Sequence, residues 1–98
     1  MASLDTLIHQ PVRLRIVASL SALPEDGSAE FTFLRDLHNL TDGNLGAHLR
    51  KLEEAGYVSL EKTFVDRKPR TFVALTRKGR KAFSEHVKAL EQILKDKP

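Results

Sequence analysis

Apolar residues along the first quarter of the chain recur at helical spacing. Pro11 suits the first turn of a helix, where its missing N–H costs nothing. The apolar residues that follow it three or four positions apart are Val12, Ile16, Leu20 and Leu23, with Val17 beside them. Residues 24–28, Pro-Glu-Asp-Gly-Ser, are typical of a loop. The pattern therefore predicts a first helix that ends before this loop.

A short strand and a short helix are predicted next. Residues 30–32, Glu-Phe-Thr, predict a very short strand. Thr32 suits the N-cap of a helix that runs from Phe33 to Leu37, barely two turns. Residues 38–40, His-Asn-Leu, interrupt this helix.

A third helix is predicted from Thr41 to Ala55. Thr41 is a favourable N-cap, and Asp42 in the first turn suits the helix dipole. One apolar stripe at positions i, i+4 and i+7 is formed by Leu45, Leu49 and Leu52. Gly56 suits the left-handed position that follows a helix.

The periodicity then changes to that of strands. Residues 57–65 and 70–75 alternate and are rich in β-branched and aromatic residues, and the polar residues 66–69 between them predict a hairpin. Thr76 suits the N-cap of a last helix. The apolar side of that helix is wider than a small core needs and contains Ala82, Phe83, His86, Val87, Ala89, Leu90, Ile93 and Leu94.

This order of elements predicts an α+β fold, mostly α. We expect a winged helix-turn-helix with a two-stranded β-wing, a short third strand and a long C-terminal helix. The chain has 98 residues, which we expect to form one domain over residues 1–98.

Composition narrows the function. The chain has no cysteine, which excludes disulfides, thiolate metal sites and cysteine nucleophiles. Its start lacks the features of a signal peptide, and no apolar stretch approaches the ~20 residues that cross a bilayer, so we expect a cytoplasmic protein without a membrane partner. The net charge is +3, but residues 67–81 contain seven basic residues and no acidic one. Such a run is either a solvated surface or part of a polyanion-binding face.

The helix that begins at Thr41 has the pattern of a recognition helix. At 100° per residue, the side opposite the leucine stripe is small or polar, and it contains Gly43, Asn44, Ala47, Arg50 and Lys51, with His48 at the flank. Small residues let a backbone approach DNA closely. Asn44 could offer bidentate contacts to adenine, and Arg50 or Lys51 could reach guanine or phosphate. An ordinary amphipathic surface helix would show the same stripe.

The predicted hairpin turn is basic. Arg67, Lys68, Pro69 and Arg70 at the tip of two strands suit a wing that lies along the DNA backbone or enters the minor groove. A solvated turn would also use such residues. The position of the turn, directly after a helix that ends in Leu-Glu-Glu-Ala-Gly-Tyr-Val, favours the wing.

Five stretches together resemble a known group of regulators. They are residues 11–17, 40–45, 48–58, 67–71 and 75–80. They resemble the compact single-domain winged-helix transcription regulators related to the MarR and ArsR families, over about residues 4–94.

The resemblance implies a recognition helix over residues 41–51, with Thr41 at its start and Asn44, His48 and Lys51 as groove contacts. It also implies wing contacts from Arg67, Lys68 and Arg70. In such proteins the first and last helices pair across a dimer axis, here within residues 4–23 and 77–95. The implied dimer contacts are Leu4, Leu7, Ile8, Phe83, Val87, Leu90, Ile93 and Leu94.

Metal sensing and catalysis find little support. Without cysteine, the candidate ligands are the pair Asp5 and His9 and the pair His86 and Glu91, and neither has a recognisable zinc spacing. His86 beside an apolar stripe is expected to be a half-buried interface residue. No phosphate-binding loop or nucleophile elbow is present, so we expect no metal, no cofactor and no catalytic residue.

The sequence thus predicts a homodimeric, sequence-specific DNA-binding regulator. We expect a repressor that binds a palindromic operator, with two recognition helices roughly 34 Å apart. The alternative is a winged helix that binds another protein and not DNA. A small-molecule effector is neither supported nor excluded.

Overall fold

The computed structural model describes residues 3–96. In chain order the elements are α1 (Pro11–Ser21), β1 (Ala29–Glu30), α2 (Phe31–Leu37), α3 (Asp42–Glu54), β2 (Val58–Val65), β3 (Lys68–Leu75) and α4 (Arg77–Lys95). The strands form one antiparallel sheet in the order β1-β3-β2. This is the predicted winged helix-turn-helix, with the wing formed by β2 and β3.

The core lies between the sheet and the first three helices. Its fully buried side chains are contributed by α1, α2, α3 and β3, and they are Ile16, Val17, Leu20, Leu34, Leu45, Leu49, Leu52 and Val73. Phe83 of α4 packs against this cluster from outside. The helix-turn-helix and the wing therefore share one apolar core, so their relative position is fixed by packing.

The short strand and the helix that follows it lie one or two residues earlier than predicted. The strand is Ala29–Glu30, and α2 begins at Phe31 without a side-chain N-cap. Thr32 is inside the first turn of α2, where its hydroxyl donates to Glu30 Oε1 at 2.9 Å. Strand pairing of Ala29 with Val73 sets this start, and it outweighs the capping preference of threonine.

The segment before α1 is fixed to α4 by a buried histidine. His86 is completely buried within this one chain, so the expectation of a half-buried interface residue is wrong. Its Nδ1 accepts a hydrogen bond from the Asp5 backbone N–H at 3.0 Å, and its Nε2 lies 3.2 Å from His9 Nδ1. Tyr57 donates its hydroxyl hydrogen to Asp5 Oδ2 at 2.5 Å. Residues from both ends of the chain thus share one polar network.

We expect this network to make stability depend on pH. Burial, and secondarily His9, lowers the pKa of His86, while Asp5 opposes the shift. Because the folded-state pKa lies below the unfolded value of about 6.5, protonation favours unfolding. The contribution of neutral His86 to the free energy of unfolding is then fully present above about pH 7. It falls below about pH 6.5, by at most about 1.4 kcal/mol per pH unit for one histidine.

Urea unfolding at pH 7.5 and 5.5 measures this effect. His38 and His48 also have lowered pKa values, each mainly through burial, so wild type contains their contributions as well. The variant His86→Gln should keep only those and show a smaller loss of stability on acidification. An equal loss in wild type and variant would contradict the assignment to His86.

Candidate nucleic-acid interface

Local sequence signals set both ends of α3. Thr41 Oγ1 accepts the Asn44 backbone N–H at 3.1 Å, as an N-cap does. Gly56 has φ of 81°, the left-handed conformation that ends the helix. Both predictions are confirmed. Leu45, Leu49 and Leu52 are completely buried, so one side of α3 is held in the core.

The opposite side of α3 is open to solvent. The exposed residues are Thr41, Gly43, Asn44, Ala47, Arg50 and Lys51. His48 is half-buried, because its ring contacts Arg13 of α1. All the side chains that the sequence placed outside the leucine stripe are therefore brought to one surface, and only His48 is partly covered.

An ion-paired turn connects α2 to α3. Arg35 contacts Asp36 and Asp42, each at 2.9 Å, and Asn39 has φ of 54° in the turn. Asparagine tolerates this conformation better than most residues. The pairs are exposed, so we expect them to contribute little to stability. They do link the start of α3 to α2.

The wing tip is shorter than the sequence predicted. Only Asp66 and Arg67 form the turn, with φ of 50° and 67°, and β3 begins at Lys68. Both values are positive, as in the two-residue hairpin turns that match the twist of the strands. Pro69 lies in β3 opposite Phe64, so the prediction of a proline at the tip is wrong. Because β1 pairs with β3 only at Phe72 and Val73, one side of β3 is free where its missing N–H would point.

Arg70 has a partner within the protein. Its Nη1 donates to Glu30 Oε1 at 2.7 Å, and this bond holds the pKa of the Glu30 carboxyl below its usual range. Arg70 therefore links β3 of the wing to β1 through an ion pair. Arg67 and Lys68 are exposed, with no ion pair among residues 3–96.

An open cleft of about 700 Å³ separates α3 from the wing. It is lined by Phe31, Gly46, Arg50, Glu53, Leu60, Lys62 and Thr71. Arg50 of the helix and Lys62 of the wing thus place positive charge on both sides, with Glu53 the one acid in the lining. The sequence analysis did not single out Lys62. The strand alternation that places it on the face of Leu60 was the available signal.

The predicted dimer residues differ in accessibility. Leu4, Leu7, Phe83, Val87 and Leu90 are half-buried, while Ile93 and Leu94 are 53% and 81% exposed. Ile8 is 0% exposed within the single chain, so it is a core residue that cannot also contact a partner in this conformation.

Two further expectations concern absent features. Residues 3–96 contain no group of three or more His, Asp or Glu that could hold a metal ion. None of the helices described is long and apolar enough to cross a membrane.

A helix with one buried and one open polar side, next to a basic β-hairpin, is typical of a DNA-binding winged helix. Comparison with known proteins agrees. Residues 12–94 match the winged helix DNA-binding domain family, and the chain belongs to that family. It is a transcription regulator and not an enzyme, and its structure is similar to that of a MarR family regulator.

Three relatives are similar along most of this chain. An uncharacterized protein of Methanocaldococcus jannaschii is 38% identical over 90 residues, which are 92% of this chain and 95% of that protein. A transcriptional regulator homologue from Pyrococcus horikoshii OT3 is 32% identical, with a TM-score of 0.83 over 92% of this chain and 86% of that one. A MarR family transcriptional regulator from Silicibacter pomeroyi DSS is 26% identical, with a TM-score of 0.67 over 89% and 55%.

Proposed function

We propose that the chain is a dimeric, sequence-specific DNA-binding regulator that places α3 in the major groove and the wing on the adjacent backbone or minor groove. The observation that carries this proposal is the open side of α3 lying next to the wing, whose tip is exposed and basic. Gly43 and Ala47 leave room for a backbone to approach. Asn44, Arg50 and Lys51 supply the amide and cations that read base edges and bind phosphate.

The cleft between α3 and the wing supports the same arrangement. Arg50 and Lys62 line it from opposite sides. The negatively charged phosphate backbone of DNA separates the major groove from the minor groove. In the proposed complex this backbone would pass between the two cations. Arg67 at the tip would then reach the next groove, where arginine suits a narrow minor groove.

The apolar end of α4 supports a homodimer. The structure is 57 Å in its longest dimension and 25 and 21 Å in the others, and Ile93 and Leu94 near the end of α4 are exposed. Burial of apolar side chains against a partner lowers the free energy of the complex. A two-fold dimer through α4 and the segment before α1 would present two copies of α3 to a palindromic operator, about one DNA turn apart.

Repression by occlusion is the mode that we propose. The described residues form one winged helix and no second globular unit. A dimer bound across one operator would block access of other proteins to the same DNA. Repression by this route requires no contact between the dimer and a second protein.

DNA selection and a salt series test the proposal. Sequences selected from random duplexes by the whole chain should converge on a palindrome. The affinity for the selected site should exceed that for bulk DNA by about 10³-fold or more, and log affinity should fall linearly with log salt. Selection that yields no consensus, together with no binding at low salt, would overturn the proposal.

The double variant Ile93→Glu/Leu94→Glu tests the dimer. Charges at these exposed positions should cost little within one chain but oppose burial between two chains. We expect sedimentation to change from dimer to monomer and operator affinity to fall at least about tenfold, because two linked half-sites bind more tightly than one. Lys88→Glu, an exposed charge change elsewhere on α4, is the matched control. A variant that stays dimeric would contradict the assignment of this face.

Protein binding remains the second candidate, and one observation favours it. Phe33 and Leu37 on α2 are 58% and 54% exposed, and Phe64 near the wing tip is 74% exposed. Exposed large apolar residues are typical of protein-binding surfaces. A stable complex with a protein, formed by a chain that binds no DNA, would favour this function over the first.

A further inference from the structure

Arg13 of α1 joins the segment before α1 to the recognition helix. Its Nε donates to the Leu7 carbonyl oxygen at 2.6 Å, and its Nη1 lies 3.1 Å from His48 Nδ1. The sequence analysis placed His48 among the DNA contacts and gave no role to Arg13. Arg13 is half-buried, whereas Arg15, two residues later on α1, is exposed.

This contact determines where the hydrogen of the His48 ring lies. A guanidinium has only donors and stays protonated in proteins. His48 Nδ1 must therefore accept, and the single hydrogen of the neutral ring is on Nε2. A protonated ring would set an N–H of His48 against an N–H of Arg13. Burial, and after it the charges of Arg13 and Lys51, lowers the pKa of His48, so the ring is neutral at pH 7.

The Nε2 atom of His48 is not sealed inside the fold. Nε2 has no hydrogen-bond partner among residues 3–96, and no buried polar side-chain atom in that range lacks a partner. Nε2 is therefore accessible. Its neighbours along α3, Ala47 and Lys51, are exposed residues of the proposed DNA-binding side.

We propose that Arg13 is a positioning residue that holds His48 in the Nε2–H form, so that this ring offers a hydrogen-bond donor to an acceptor on a base edge in the major groove. The inference rests on the proposed function. Purine N7, guanine O6 and thymine O4 are the acceptors that such a donor matches, whereas the amino groups of adenine and cytosine are themselves donors. Arg13 is itself positioned by the Leu7 carbonyl, within the segment that Asp5, Tyr57 and His86 attach to the fold.

Ring ¹⁵N NMR on the whole chain tests the positioning without DNA. Wild type should show the Nε2–H form of His48 and a pKa below the ordinary value. In Arg13→Met the ring should populate both neutral forms, and its pKa should rise because a donor and a positive charge are removed. Arg15→Met also removes one positive charge, two positions away on α1, and should leave the tautomer and the pKa of His48 unchanged. An Nδ1–H form in wild type, or a His48 unchanged in Arg13→Met, would overturn the proposal.

Binding measurements on a selected duplex and on random DNA test the consequence. Arg13→Met should lower the ratio of specific to non-specific affinity by about 5- to 30-fold and leave the salt slope unchanged. His48→Phe should lose a similar factor, and the double variant should be no weaker than either single variant, because both remove one interaction. Uniform weakening on both DNAs would identify a phosphate contact and overturn the proposal. Wild type that selects no sequence would instead refute the proposed function, and the NMR result would stand independently.

Discussion

Replacing Arg67 and Lys68 together by alanine is expected to lower operator affinity by about 100-fold or more at 150 mM salt. Both side chains are exposed at the end of the wing and have no ion pair within residues 3–96, so they are free to contact DNA. A dimer would lose four cations. The slope of log affinity against log salt should then fall by about four, because each phosphate contact releases close to one counterion.

The fold should not change in this variant. Arg67 and Lys68 are both exposed, and substitutions at exposed positions usually change stability by less than about 0.5 kcal/mol. The control Lys88→Ala/Lys95→Ala removes the same charge from exposed positions of α4 and should reduce the slope by clearly less. Equal salt slopes for the two double variants would show that net charge matters and the wing does not.

Arg70 is expected to behave differently from its two neighbours. Because it is bound to Glu30, its replacement removes a brace between β3 and β1 as well as a charge. For this reason the double variant of Arg67 and Lys68 is a cleaner test of DNA contact than a triple variant that includes Arg70.

Gly79→Ala is expected to destabilise the domain by about 3 kcal/mol or more, a large part of the 5–15 kcal/mol that is usual for a domain. Gly79 is buried in the first turn of α4, and a Cβ there would lie 2.8 Å from the Tyr57 carbonyl carbon and 2.9 Å from Leu75 Cδ1. The Tyr57 carbonyl oxygen also accepts the Thr76 backbone N–H at 3.0 Å, so this carbonyl group cannot move away without losing that hydrogen bond.

Gly46→Ala is the matched control. Gly46 is in the interior of α3, and a Cβ there would meet nothing within 4 Å. Alanine in place of a helical glycine should stabilise the protein by about 0.5–1 kcal/mol. Urea unfolding at one protein concentration measures both variants, and opposite signs are expected. A Gly79→Ala protein as stable as wild type would contradict the packing of α4 against the turn before β2.

Sequence reasoning succeeded where the signals were local. The N-cap Thr41, the leucine stripe and Gly56 all act within α3, and the helix has the predicted buried and open sides. Capping bonds and helical periodicity depend on residues a few positions apart, so spacing alone predicts them.

The wing tip and the segment before α1 could not be predicted in the same way. A turn of Asp66 and Arg67 with two positive φ values has neither the glycine nor the asparagine that signals such turns, and Pro69 drew the predicted turn two residues too far. The contacts of Asp5 and His9 with His86 span about 80 residues of sequence. Because such contacts depend on the finished fold, spacing predicted neither the burial of His86 nor the link from Arg13 to His48.

Amide chemical-shift mapping with a selected duplex tests the central claim most directly. If the open side of α3 and the wing bind DNA, the largest changes should fall in residues 41–51 and 62–68, with little change in residues 90–95. Changes confined to the apolar surface around Phe33 and Leu37, or to the end of α4, would contradict the account.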